Sequence, residues 1–462
     1  MGGASALLLV IVAPVVWHGA PLADDYDLCV RPAALGGLDA FLQVIWQEFG
    51  AVRPARFIEV TLVHALCGRV PFGVLLLVPL VLKFLTAWLL FLLLRDLRLP
   101  DPWPAAGTAL WLLEPLGTEA ALWPAALHIH LGLALVLAAL LAARRGRYWL
   151  AGLAAVGACL SVEQVIFALP LTFVLFTPPE RRRQSGLIAL AVAIGVLILY
   201  ALFPGDNVRQ AMSLADRVAA VVKDPRWYIA YPATGLGLHS GALALWWALP
   251  WSLLALAGGA AAGAAAGPRL LRPAPDRPPL EAAALRRWAV RIVVLVGLVN
   301  LPLLVTEVGH SARTFTPTWL VLCGVAAAGG AAARWRRPRR SGGVIGALVA
   351  VAVLSLTLSA WVRVETVRFD EASAVWLAEQ TEDGDVIALC DVPRTVVEPA
   401  PLGSFHLHAY HFQWDGVLRY HAGRSAELRR SSERYWGARC PDLEGADLVL
   451  DFDELLDAAR SR

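Results

Sequence analysis

Charge is scarce in this sequence, and lysine is scarcer still. Charged residues make up 17% of the 462 positions and hydrophobic residues 58%, with a mean hydropathy of +0.60. Soluble domains carry roughly a quarter charged residues, so the composition excludes a large soluble core and points to an integral membrane protein. Only Lys83 and Lys223 are lysines, and every other basic side chain is arginine. With a formal net charge of +3 and no lysine-rich run, the chain has no electrostatic footprint for nucleic acid. A basic leader is also missing. The first apolar segment, Ala4 to Trp17, has no charged lead and no clear small-x-small cleavage site, which favours a retained helix over a cleaved signal. Zinc-type cysteine and histidine spacing is absent too, so no metal site is expected, and a divalent-metal requirement stays open. Cys67, Cys159 and Cys323 lie in or near apolar segments and read as packing residues. Cys390 and Cys440 fall in the polar C-terminal region, where an exoplasmic setting would allow a disulfide.

The apolar stretches alternate with two kinds of loop. Basic loops carry Arg95 and Arg98, then Arg144 to Arg147, Arg181 to Arg183, Arg269 to Arg287, and Arg334 to Arg340. Arginine in short loops stays cytoplasmic. Residues 103–143 and 148–177 each begin and end beside basic clusters, so each must cross an even number of times and divides into two helices. The expected spans are 4–18, 70–94, 103–117, 126–143, 148–161, 164–178, 186–203, 240–258, 289–305, 316–333 and 342–361. The expected fold class is therefore an all-α polytopic membrane bundle of about eleven transmembrane helices of ~20 residues or less. The N-terminus is cytoplasmic in this reading. Two long outer loops cover 18–69 and 204–239, the second with an interfacial amphipathic helix over 208–222. The domains are a transmembrane catalytic part, 1–361, and a small exoplasmic α/β C-terminal domain, 362–462, with a helix over 372–380 and strands over 385–389 and 446–451.

That topology gathers ionisable residues on one face. Asp24 and Asp25 follow the first span directly, in a loop that also holds Asp39, Arg53, Arg56 and Glu59. Outer turns bring Glu119, His128, His130 and Glu163, and His310 and Arg313 precede the tenth span. His128 and His130 stand two apart on a helix, so at most one of them faces a common site. Charges near membrane depth are costly and face a cavity or a partner. A carboxylate there can take the proton of an attacking hydroxyl, and arginine or histidine can hold a leaving phosphate. Either aspartate also suits a helix start, and Glu119 and Glu163 suit plain interfacial turns. Lys83, near the middle of the second span, is expected to find a structural partner inside the bundle.

Several segments resemble the GT-C fold, the multi-span glycosyltransferases, and most of all the transmembrane O-mannosyltransferases that carry tetratricopeptide repeats and their bacterial relatives. The segments are Asp24-Asp25, Arg53-Pro54 with Gly68-x-x-Pro71, and Glu114-Pro115-Leu116-Gly117-Thr118-Glu119-Ala120 with Trp123. Leu160-Ser161-Val162-Glu163 with Pro170, and Arg313-Thr314-Phe315-Thr316-Pro317, complete the set. The resemblance covers about residues 1–335. It implies a polyprenyl-phosphate-linked sugar as donor, Asp24 or Asp25 as catalytic base, and Arg313 as a phosphate contact. Arg53, Glu119, His128, Glu163 and His310 are the further substrate-binding candidates. Val162 stands where that family has lysine and Glu114 where it has histidine, and no repeat array follows.

The resulting expectation is a glycosyltransferase of the plasma (inner) membrane, acting on a glycan, lipid or protein acceptor at the outer face. A lipid-linked polysaccharide ligase or polymerase is the alternative within enzymes, and a transporter or scaffold the alternative outside them. In the C-terminal region, Phe405 to Trp414 holds His406, His408 and His411 among aromatics. Packing on the bundle, acceptor recognition and metal binding are all open to that segment.

Overall fold

The computed structural model describes residues 2–19, 21, 24–49, 54–113, 121–203, 248–271, 282–305, 312–332, 338–390, 395–400, 403–408, 414–423, 427–429 and 445–461. Its helices in chain order are α1 Gly2–Trp17, α2 Asp24–Ala34, α3 Leu38–Phe49, α4 Ala55–Leu66, α5 Phe72–Asp96 and α6 Trp103–Leu113. A 3-10 turn, Pro124–Ala126, leads into α7 Leu127–Arg144. Then come α8 Tyr148–Ser161, α9 Gln164–Phe176, α10 Pro179–Leu202, α11 Ala248–Leu270, α12 Ala282–Val305, α13 Ala312–Ala332 and α14 Pro338–Gln380. Helices therefore occur near all eleven expected span positions. Among the described residues, three stretches, Phe72–Asp96, Pro124–Arg144 and Pro179–Leu202, are long and apolar enough to cross a membrane. The 25 residues of α5 reach roughly 37 Å at 1.5 Å per residue, more than a ~30 Å hydrocarbon layer. The loop helix expected over 208–222 lies outside the described residues.

One expectation is corrected outright. Cys67 is not a packing thiol: it forms a disulfide with Cys29, across 38 residues. The bond joins the body of α2 to the end of α4, so the segment between α1 and α5 is a stapled three-helix unit. Cys159 and Cys323 are buried thiols that form no disulfide, as expected of packing residues. Cys390 is disulfide-bonded, and Cys440 lies outside the described residues.

The helices meet closely where side chains are small. In α11 and α14, a Cβ on Gly263 would fall 2.0 Å from the Gly342 carbonyl oxygen, and one on Gly346 2.0 Å from that of Gly259. Only hydrogen fits there, so the two backbones touch, as small residues permit between membrane helices. Gly132 likewise lets α7 lie against Val162 at the end of α8. At the end of the bundle carrying the basic loops, Arg144 pairs with the Asp96 carboxylate and donates to the Phe176 carbonyl, tying α5, α7 and α9 together. Arg181 donates to the Arg144 carbonyl. These arginines hold helix ends together.

α14 runs unbroken for 43 residues. The boundary placed at 361/362 thus falls inside one helix, and the helix expected over 372–380 is its last part. Beyond it are β1 Val386–Cys390, β2 Thr395–Ala400, β3 Gly403–His408, α15 Trp414–Ala422, β4 Glu427–Arg429, β5 Leu448–Asp451 and α16 Phe452–Ser461. β1 is the middle strand of a parallel sheet of order β4-β1-β5, with Ile387 opposite Leu428 and Leu448. β2 and β3 form an antiparallel pair. α15 packs on both α14 and α2, which sets the C-terminal segment against the helix that begins with the aspartate pair. Asp370, on α14, is buried, and that burial raises its carboxyl well above the ordinary aspartate value.

Candidate functional site

The paired aspartates open α2 rather than lying in a loop, and Asp25 is fully buried. Its Oδ1 accepts the backbone N–H of Ala125 at 3.0 Å. Ala125 is the middle residue of the 3-10 turn before α7, where amides have no partner inside the helix. α4 grips the same turn from another side. Arg56 Nη1 donates to the Ala125 carbonyl at 2.7 Å and to Glu59 Oε2 at 3.2 Å. Glu59 Oε1 accepts from the backbone N–H of His128 at 2.9 Å and meets His128 Nδ1 at 2.7 Å. One short turn is thus held by its N–H, its carbonyl and the first helical residues behind it.

The electrostatics follow from burial and from these partners. Glu59 has no exposed surface. Burial alone would raise its carboxyl, but the His128 ring and the Arg56 guanidinium outweigh that, and it lies below its ordinary value of 4.5. An ionised carboxylate on Nδ1 makes that nitrogen the donor, which leaves Nε2 as the ring nitrogen not engaged by Glu59. The His128 side chain is 13% exposed. An imidazole oriented in this way can donate to an oxyanion or phosphate oxygen when its second nitrogen carries a proton.

The structure brings Asp25 and His128 together through this turn, with Arg56 and Glu59 between them. The signal for that pair was Arg56-x-x-Glu59, three apart on one helix face. His130 points elsewhere: it is buried, with its ring edge-on to Trp111 at 5.9 Å. Lys83 is also fully buried, with Nζ 5.8 Å from the Trp111 ring centre, so it has an aromatic neighbour inside the bundle. Glu163 is half-buried in the turn before α9. Arg313 lies in the first turn of α13. Arg53, Glu119 and His310 lie outside the described residues. Among the described residues no cluster of three acids, histidines or cysteines is arranged to hold a metal.

No family model matches the chain, and no curated protein does. Among solved structures, the apo crystal structure of ArnT from Cupriavidus metallidurans aligns over 97% of this chain and 89% of that one, at 14% identity and a TM-score of 0.35. A TM-score of that size does not establish a shared fold.

Proposed function

We propose that the chain is a membrane glycosyltransferase that moves a sugar from a polyprenyl-phosphate donor to an acceptor at the outer face, in the GT-C manner its sequence resembles. The observation that carries this reading is the convergence of Asp25, Arg56, Glu59 and His128 on one turn beside the aspartate pair. The Cys29–Cys67 bond and the bonded Cys390 support an outer setting for both segments, because disulfides persist on the oxidising side.

In this reading the acceptor hydroxyl attacks the anomeric carbon. Its proton passes to an aspartate carboxylate, the new C–O bond forms with inversion, and the bond from that carbon to the phosphate oxygen breaks. The phosphate leaves with the electron pair. Asp25, buried and bonded to Ala125, is a positioning residue that fixes the turn. The base role falls on Asp24, next in chain at the start of α2. His128 Nε2 and Arg313 offset the charge growing on the phosphate, with Arg53 and His310 as further contacts. Glu119 and Glu163 are assigned to orient hydroxyls.

The test is transfer from a panel of radiolabelled polyprenyl-phosphate sugars to cell-envelope acceptors by the purified protein. Wild-type transfer, lost in Asp24→Asn with unfolding unchanged, supports the reading. Loss in Asp25→Asn alone, with the fold intact, would reverse the two roles. No transfer and no donor binding across the panel would sink the transferase altogether.

A further inference from the structure

α3 buries one face and leaves another bare. Phe41 and Ile45 are in the core, whereas Asp39, Gln43, Trp46 and Gln47 are exposed. Their spacing of four, seven and eight puts them on one stripe. This stripe forms one wall of a groove of about 620 Å³ lined by Asp39, Leu42, Gln43, Trp46, Gln47 and Phe57. Cavities of ~300–1,000 Å³ are the usual size for small-molecule sites. Trp46 is 46% exposed and lies 6.0 Å from the Phe57 ring and 6.3 Å from that of Phe203, at the end of α10.

The lining chemistry selects the occupant. One carboxylate and two primary amides offer both acceptors and donors to vicinal hydroxyls, and a half-bare indole offers a flat apolar face. Among the described lining residues there is no arginine or lysine to neutralise a phosphate. A face dipped into lipid would not carry Asp39, Gln43 and Gln47 beside its tryptophan. We propose that the groove binds a neutral or amino-sugar ring, stacked on Trp46 and hydrogen-bonded by Asp39, Gln43 and Gln47. Its assignment as the place where the acceptor's sugar is held rests on the transferase reading. α4 connects the two regions, since Phe57 faces the groove and the adjacent Arg56 grips the turn.

The test uses the full chain in detergent on an array of neutral, amino, sulfated and phosphorylated oligosaccharides. A second arm presents the same neutral sugars as glycolipids in nanodiscs, to separate a free glycan from a lipid headgroup. Binding to neutral or amino sugars, weakened at least tenfold in both Trp46→Ala and Gln43→Ala and kept in Asp24→Asn, is the expected result. Binding only to sulfated or phosphorylated sugars, or none, overturns the proposal. So does binding unchanged in both groove variants, or a Trp46→Ala defect seen only as weaker retention in plain phosphatidylcholine vesicles. Sugar binding without any transfer would leave this inference standing and remove the transferase. Transfer whose acceptor KM is unmoved by either groove variant would do the reverse.

Discussion

Replacing Glu59 by glutamine tests whether the turn before α7 is clamped by charge. The carboxylate meets Arg56 on one oxygen and the amide and ring of His128 on the other. Glutamine has one acceptor oxygen and one NH2 group, so in either orientation a donor faces a donor. The charge that Arg56 and His128 share is also lost. Breaking a buried pair costs about 3–5 kcal/mol; Arg56 and His128 keep 14% and 13% exposure, which places the expected loss near the lower end, ~3 kcal/mol. Unfolding in detergent is read with a thiol-reactive fluorogenic dye, because Cys159 and Cys323 are buried thiols outside any disulfide in the folded chain. The pH dependence gives an independent check. The folded carboxyl lies below its ordinary value of 4.5, so its contribution is complete above that pH and is lost as pH falls through the folded value. The gap between wild type and Glu59→Gln is therefore wide at pH 7 and narrows below about 4.5. A variant that unfolds with the wild type at pH 7, or a gap that does not narrow in acid, refutes the charged clamp.

Other outcomes follow from single contacts. Gly263→Leu forces α11 from α14, since even a Cβ there meets the Gly342 carbonyl at 2.0 Å; it should cost ~3 kcal/mol or prevent folding. Gly258→Leu, where a Cβ meets nothing within 4 Å, should be near neutral, and equal behaviour of the two in the same dye assay would contradict the close crossing. Replacing Cys29 and Cys67 together by serine opens a 38-residue loop, and the chain-entropy relation puts the loss at about 4 kcal/mol, checked by unfolding with and without reductant. Asp370 is buried with a raised carboxyl pKa, so its folded form favours the proton. Stability from that preference is present below the ordinary value of 3.8 and is lost as pH rises towards the folded value. Asp370→Asn should therefore gain on the wild type as pH rises above 3.8; a gap that stays constant or shrinks counts against neutral burial.

Helix positions were legible because a hydrocarbon layer admits few solutions. Arginine parity divided 148–177 into two helices, and the break is indeed at Val162-Glu163, between α8 and α9. The same logic misread α14. Arg363, Glu365, Arg368 and Asp370 ended the apolar run, and the span was closed at 361, yet 361–371 holds no glycine or proline to stop a helix. Polarity ends a span, whereas only backbone chemistry ends a helix. Cys67 was misread for a related reason. It follows the apolar run of α4, and nothing local distinguishes a core thiol from one that meets Cys29 across 38 residues.

The site was legible as a list and not as a geometry. Asp25, His128, Arg56 and Glu59 were all visible as outer-face residues, but 69 positions separate Glu59 from His128 and 100 separate Asp25 from Ala125. What joins them is a 3-10 turn whose exposed amide and carbonyl needed partners, and that demand is written in the backbone rather than in any side chain. Glu59, set among Phe57, Ile58 and Val60, looks like an interruption of an apolar helix until the turn is in place. Its full burial then has a cause: a carboxylate tolerates the interior there because three donors converge on it. The consequence for mechanism is directional. Residues consumed in holding the turn are poor candidates for accepting a substrate proton, so the proposed transfer assigns the base to Asp24, outside the clamp, and not to a residue within it.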